Sequence, residues 1–158
     1  QHTAGKDGWL GRALVAQTGE LSLTAFPSGA IRLPLPPLQE VESITYVDTA
    51  GATQTLASNL YQVVASEPAL ILPAYGKTWP ATRCQPEAVK VRFTAGYAPG
   101  DGSPTDYAEN IPQPVKQAML LLIAQWFENR SAGLTGATAM ELPFAVQALL
   151  APYKAGWL

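Results

Sequence analysis

Cysteine and histidine are almost missing from this sequence: Cys84 and His2 are the only examples in 158 residues. One cysteine rules out an internal disulfide and any metal site built from spaced thiolates. A Ser–His–Asp or Cys–His catalytic arrangement would need His2 to fold back from the extreme start of the chain. The simpler reading of His2 is a solvated terminus. Charge is also scarce. Asp, Glu, Lys and Arg make up 14% of the chain, against about 25% in ordinary globular domains. So few charges leave little to keep a whole surface wet, which points to a surface partly covered by other subunits. The net charge of −2 argues against a generic nucleic-acid grip, which needs clustered Lys and Arg to displace counterions. The longest apolar run, Ala118–Ala124, is far short of the ~20 residues that span a bilayer. No charged segment followed by an apolar run opens the sequence, so no signal peptide is visible. No internal repeat is visible either.

What the sequence does have is proline, 14 residues of it, and a series of short alternating segments. The two meet in "IRLPLPPLQEVESITYVDTAG", Ile31 to Gly51. Pro34 and Pro37 have the spacing of a proline-rich recognition peptide, but no basic residue sits at the required offset. Leu33, Leu35 and Leu38 make the run apolar enough to demand burial. Proline interrupts a hydrogen-bonded ladder, so this piece belongs at a sheet edge or corner.

Around it, the period of the apolar residues changes twice. In "GWLGRALVAQTG", Leu10, Leu14 and Val15 share a helical face and Gly19 can end it, which predicts the end of a helix. "ELSLTAF" alternates like a strand, with Leu21, Leu23 and Ala25 on one face. "IRLPL" is a short extended piece, and "VESITYV" is rich in β-branched and aromatic residues. "DTAG", Asp48–Gly51, is a hairpin turn into "ATQTL". "YQVVA" and "ALILP" flank "SEP" as a second hairpin. After a long loop at 74–88 comes the cleanest strand, "VKVRFTAGY": Val89, Val91 and Phe93 face one way, and Lys90, Arg92 and Thr94 the other.

From residue 111 the chain reads as helical. Pro112 and Pro114 stand in the first turn of "IPQPVKQAMLLLIAQWFENR", where proline is tolerated. "ELPFAVQALLAPYK" is a second helix, with Pro143 near its start and Pro152 limiting its end. The predicted fold class is α+β: a small antiparallel β unit of about six short strands inserted between helices, followed by two C-terminal helices. The expected organisation is one domain, with the end of a helical segment at 1–19, a β-rich unit at 20–97, a loop at 98–110 and a helical part at 111–158.

Motifs for chemistry are weak. "GYAPGDGSP" lacks the Lys–Ser/Thr ending of a phosphate loop. Asp101, Asp106 and Glu109 lack the spacing of a calcium loop. No carboxylate pair reads as acid–base machinery. No metal or cofactor is implied. The informative element is the helix at 113–130. Its apolar residues run on continuously from Ala118 to Ala124, and a helix apolar all round must be covered all round. Either the monomer buries it wholly or a partner covers one side. The last segment has the same character, with Leu142, Phe144, Val146, Leu149, Leu150, Tyr153, Trp157 and Leu158.

The segments "GRALVAQTGELSLTAFPSG", "IRLPLPPLQEVESITYVD", "LYQV", "WPATR", "VKVRFTAGY", "IPQPVKQAMLLLIAQWFENR" and "LPFAVQALLAPYK" stand in this order over nearly the whole chain. In that set the chain resembles the head–tail connector (adaptor) proteins of long-tailed bacteriophages, related prophages and gene transfer agents. The resemblance implies a non-enzymatic structural protein of the virion neck, assembled in the bacterial host cytoplasm. It implies a closed ring of about twelve copies between the portal vertex and the tail. Stopper or tail proteins lie downstream, and DNA passes through the centre without sequence-specific binding. It also implies a helical core carrying a β-rich insertion, with one or two helices upstream of "GRAL"; this sequence starts only a few residues before that motif.

On this reading Met119, Leu122, Ile123, Trp126 and Phe127 pack against adjacent subunits. The C-terminal residues Leu142, Phe144, Leu149, Leu150, Tyr153 and Trp157 dock into the portal ring as a helix in an apolar groove. Two alternatives stay open. One is another neck or tail component, a stopper or tail terminator. The other is a small ligand-binding β module in which Tyr75, Trp79 and Tyr97 stack on a sugar.

Overall fold

The alternation in "VKVRFTA" organises half of the structure. In the computed structural model, which describes residues 8–99, 110–128 and 143–155, this segment is a strand whose Val89, Val91, Phe93 and Ala95 are all buried. Counting in chain order it is β7 (Val89–Ala95). It is flanked by β1 (Gln17–Leu23) and β3 (Leu38–Val47), both antiparallel. β4 (Thr53–Thr55) completes a four-stranded sheet in the order β1-β7-β3-β4. The ladder between β3 and β7 shifts register twice, between Leu38 and Glu40 and between Val41 and Ser43. Such bulges bend and twist a strand.

A second sheet has the order β2-β6-β5, from β2 (Ile31–Arg32), β5 (Tyr61–Val64) and β6 (Leu70–Pro73). The two sheets close over one core. Ile31, Leu33 and Ile71 from the second sheet and its flank meet Ile44, Val89, Val91 and Phe93 from the first. The described residues thus hold seven strands, in two sheets, where the sequence suggests about six. The α+β class is as expected from the pattern.

The proline run lies in the corner between β2 and β3. Pro36 is fully buried. The prolines lack N–H groups of their own, but their carbonyls are used: Pro36 accepts from the Ala13 N–H at 3.1 Å and Pro37 from the Gly96 N–H at 2.8 Å. Both hairpin turns form. Asp48 Oδ1 accepts from the N–H groups of Ala50 and Ala52 at 3.0 and 2.9 Å, an Asx turn that presets the reversal.

The N-terminal expectation is corrected. Residues 8–16 form turns and bends, with no helix, and β1 begins at Gln17. The physical reason is where the N–H groups go. Ala13 donates to Pro36 and Ala16 to Tyr97, at 3.1 Å each, rather than to carbonyls four residues back. Gly11, at φ 63°, adopts a conformation that a helix excludes. Gly19, expected to stop that helix, lies inside β1 opposite Phe93, whose ring covers it. The first strand ends at Leu23, short of Ala25, and Phe26 just beyond it is partly buried against the core.

The helical part has its own core. α1 (Gln113–Glu128) buries Val115, Ala118 and Leu122. α2 (Phe144–Leu150) buries Val146 and Leu150. These meet Leu10 and Ile111 in a second apolar cluster. The spacings i, i+3, i+7 on α1 and i, i+4 on α2 give each helix one inward stripe. Pro143 stands immediately before α2, and its carbonyl accepts from the Gln147 N–H at 3.0 Å. Pro152 coincides with the helix tightening into a 3₁₀ turn, Ala151–Tyr153. Among the described residues no helix is long and apolar enough to cross a membrane.

Candidate assembly surface

α1 has only one covered stripe, yet its sequence is apolar on several sides. Much of the remainder is exposed. Leu120, Ile123 and Phe127 recur at i, i+3, i+7 on the outer side and are 58%, 58% and 71% exposed. Trp126, 59% exposed, extends the apolar area at the C-terminal end of the helix. Trp126 and Phe127 alone, aromatic side chains of roughly 150–250 Å² each and about 65% open, present on the order of 200–300 Å² of apolar surface, and Leu120 and Ile123 extend it. That matches the largest apolar patch of a typical monomer, about 300–600 Å², a size that is often functional.

On the other flank, Leu121 and Ala124 line a groove of about 300 Å³ between α1 and the start of α2, with Gln125, Glu128, Pro143, Ala145 and Val146. Phe144, at the first position of α2, is 86% exposed.

The residues named from sequence therefore divide. Ile123, Trp126, Phe127 and Phe144 are on the surface. Leu122 and Leu150 are buried between the helices, with Met119, Leu149 and Tyr153 half-buried against the same cluster. The inner group holds α1 to α2 and so shapes the outer face rather than forming it. Leu142 and Trp157 lie outside the described residues, as do His2, Asp101, Asp106 and Glu109. Leu120 and Leu121 belong to the exposed face as well; their signal was the unbroken apolar run itself.

One residue had no sequence signal. Arg12, within "GRAL", is 3% exposed. Its Nε donates to the Tyr153 carbonyl at 2.6 Å. One terminal nitrogen donates to the Tyr97 hydroxyl at 2.8 Å, and the other to Glu67 Oε2 at 2.5 Å. The sequence separations are 141, 85 and 55, so no local pattern announces it.

The rival sugar-stacking platform is not assembled. Trp79 stacks on Phe26, ring centroids 4.9 Å apart and 4° between planes, and its indole N–H donates to the Gly29 carbonyl at 2.9 Å. Tyr97 packs with the helical cluster and holds Arg12. Tyr75 is fully exposed in the loop after β6. The cations of β7 are also engaged: Arg92 pairs with Glu42 at 2.7 Å, and Lys90 with Glu87 at 2.9 Å and Glu20 at 3.5 Å. The Thr94 hydroxyl, and then Arg92, hold the Glu42 carboxyl below its usual range, and hydrogen bonding to Glu87 raises the Lys90 ammonium above its own. No group of His, Cys, Asp and Glu among the described residues is arranged to hold a metal.

No family model matches the chain, and no curated protein does. Solved structures do. The chain is similar to a chain of the virion of a native gene transfer agent particle, at 26% identity and a TM-score of 0.70, over 95% of this chain and 71% of that one. It is similar at 26% identity to a chain of the neck of the native particle, computed with twelvefold cyclic symmetry (TM-score 0.69; 95% and 75% covered). It is likewise similar to a chain of the neck of the empty particle, computed with sixfold symmetry (TM-score 0.68; 95% and 71%). These likenesses support a structural component of a phage-like particle.

Proposed function

We propose that this chain is a head–tail connector (adaptor) subunit in the neck of a tailed phage or gene transfer agent particle. It is one of about twelve copies in a closed ring that joins the portal vertex to the tail and lets DNA pass. The observation that carries the reading is the likeness, across 95% of the chain, to a neck chain in a twelvefold assembly. The exposed apolar side of α1 and the exposed Phe144 support it, since a repeated heterologous contact needs an open face on each copy. The role is structural and non-enzymatic.

In this reading Leu120, Ile123, Trp126 and Phe127 meet an adjacent subunit, and Phe144 leads the C-terminal helix onto the portal. Stopper or tail proteins bind the opposite side. The cations of β7, Lys90 and Arg92, are paired with carboxylates rather than free, which suits a lumen or flank that does not grip DNA.

The test is a Leu120→Glu/Ile123→Glu double variant. Both positions are open to water, so each change costs about 0.5 kcal/mol of stability or less. The monomer should keep its melting temperature and fail to assemble into a ring on the portal protein. Normal assembly by this variant refutes the assignment of that face.

A further inference from the structure

We propose that Arg12 is the positioning residue of the assembly surface: it fixes the pose of α2 and its 3₁₀ extension on the β unit. Its importance for assembly rests on the neck reading; its effect on pose does not.

The three partners of Arg12 belong to three parts of the fold. Glu67 is in the turn between β5 and β6, Tyr97 follows β7, and the Tyr153 carbonyl ends the 3₁₀ turn after α2. A guanidinium offers donors in a fixed planar fork, which suits three acceptors arriving from different directions. Its Cζ also lies 5.9 Å from the centroid of the Tyr153 ring. The neighbouring backbone runs the same way: Ala155 N–H donates to the Leu10 carbonyl at 2.8 Å, and Ala13 N–H to Pro36 at 3.1 Å. Residues 10–16 form a strap with Arg12 as its clasp.

The effect should be local. The β unit closes through the ladders of β1, β7 and β3, none of which uses Arg12. α2 has seven residues and no side-chain cap. Away from α1, its segment packs on Leu10, Ile111 and their neighbours Trp9, Leu14 and Tyr97, and Arg12 and the Leu10 carbonyl hold its far end by hydrogen bonds. Loss of the clasp therefore frees the C-terminal segment while the sheets stay closed. Lysine also carries three donors, but all on one nitrogen, so it cannot reach acceptors set around the separate nitrogens of a planar fork.

The experiment is amide hydrogen exchange read by mass spectrometry on the full chain and on Arg12→Met, Arg12→Lys, Glu67→Gln and Tyr97→Phe. Hydrogen bonds to a charged group are strong enough that Arg12→Met should speed exchange in residues 144–155 by roughly tenfold or more. Exchange in residues 89–95 should not change, and Arg12→Lys should not rescue. Equal acceleration in both segments, or none in either, overturns the proposal. If Arg12→Met does not fold, Glu67→Gln and Tyr97→Phe decide. Glu67→Gln removes the charge from one arm and Tyr97→Phe removes the accepting hydroxyl from another, each at a partly open partner; both should give a smaller acceleration confined to 144–155, and no change in both overturns the proposal. Ring formation on the portal is scored in the same samples. A wild type that forms no ring refutes the neck reading, while the exchange pattern still decides the clasp.

Discussion

Gly96 is a position where a single added methyl group should cost heavily. It follows β7 at φ +112°, a conformation that side chains rarely adopt. A Cβ there would stand 2.2 Å from the Val15 carbonyl oxygen and 2.9 Å from the Ala16 nitrogen. Both are backbone atoms, so no rotamer change relieves the overlap. The unfavourable φ of Gly96→Ala costs about 1–3 kcal/mol. Moving the 15–16 backbone away also weakens two hydrogen bonds, Ala16 N–H to Tyr97 O at 3.1 Å and Gly96 N–H to Pro37 O at 2.8 Å. At about 1 kcal/mol each, the total is roughly 3–5 kcal/mol, a large part of the 5–15 kcal/mol that holds a typical domain. The assay is urea unfolding, with the midpoint falling and the slope unchanged. Gly29→Ala is the control: nothing lies within 4 Å of its added Cβ, and its effect should stay within about 0.5 kcal/mol. A loss below about 1 kcal/mol for Gly96→Ala, or one equal to the control, refutes the reasoning.

Other expectations follow from the same contacts. Trp79→Phe keeps an aromatic ring beside Phe26 but loses the bond to the Gly29 carbonyl. It should cost about 1 kcal/mol in unfolding experiments and leave assembly intact; loss of assembly would make Trp79 part of the interface. Phe93→Ala, in the core shared by the two sheets, should cost about 3–5 kcal/mol by the same assay. For pH, Glu42 is depressed chiefly by the Thr94 hydrogen bond and Asp48 chiefly by the Gln54 side-chain amide. A depressed carboxyl stabilises above its unfolded value and loses that contribution as pH falls through its folded one. Lys90 is raised, so its contribution is complete below the unfolded value and fades as pH rises through the folded one. The unfolding midpoint should therefore be level between about pH 6 and 9 and fall below about pH 4.5. Glu42→Gln should flatten part of the acid limb, and an unchanged limb counts against this role.

The β unit was the legible part of the sequence, because one buried face forces a period of two: Val89, Val91 and Phe93 show it without help from any partner strand. The hairpins at Asp48–Gly51 and Ser66–Pro68 were legible through turn chemistry. The segment at 8–16 was misread because Leu10, Leu14 and Val15 imitate helical spacing, whereas its N–H groups are claimed by Pro36 and Tyr97, far along the chain. On α1 the apolar run was visible, but which side is covered depends on Val146 and Leu150 arriving from α2. That contact separates Leu122 inside from Ile123 outside. Arg12 was invisible for the same reason in stronger form, since each of its acceptors is more than fifty residues away.

The most direct test of the central claim is native mass spectrometry of this chain, alone and mixed with the portal protein encoded nearby. A ring-sized species of about twelve copies, alone or only on the portal, is the predicted result. A monomer under both conditions would contradict the connector reading.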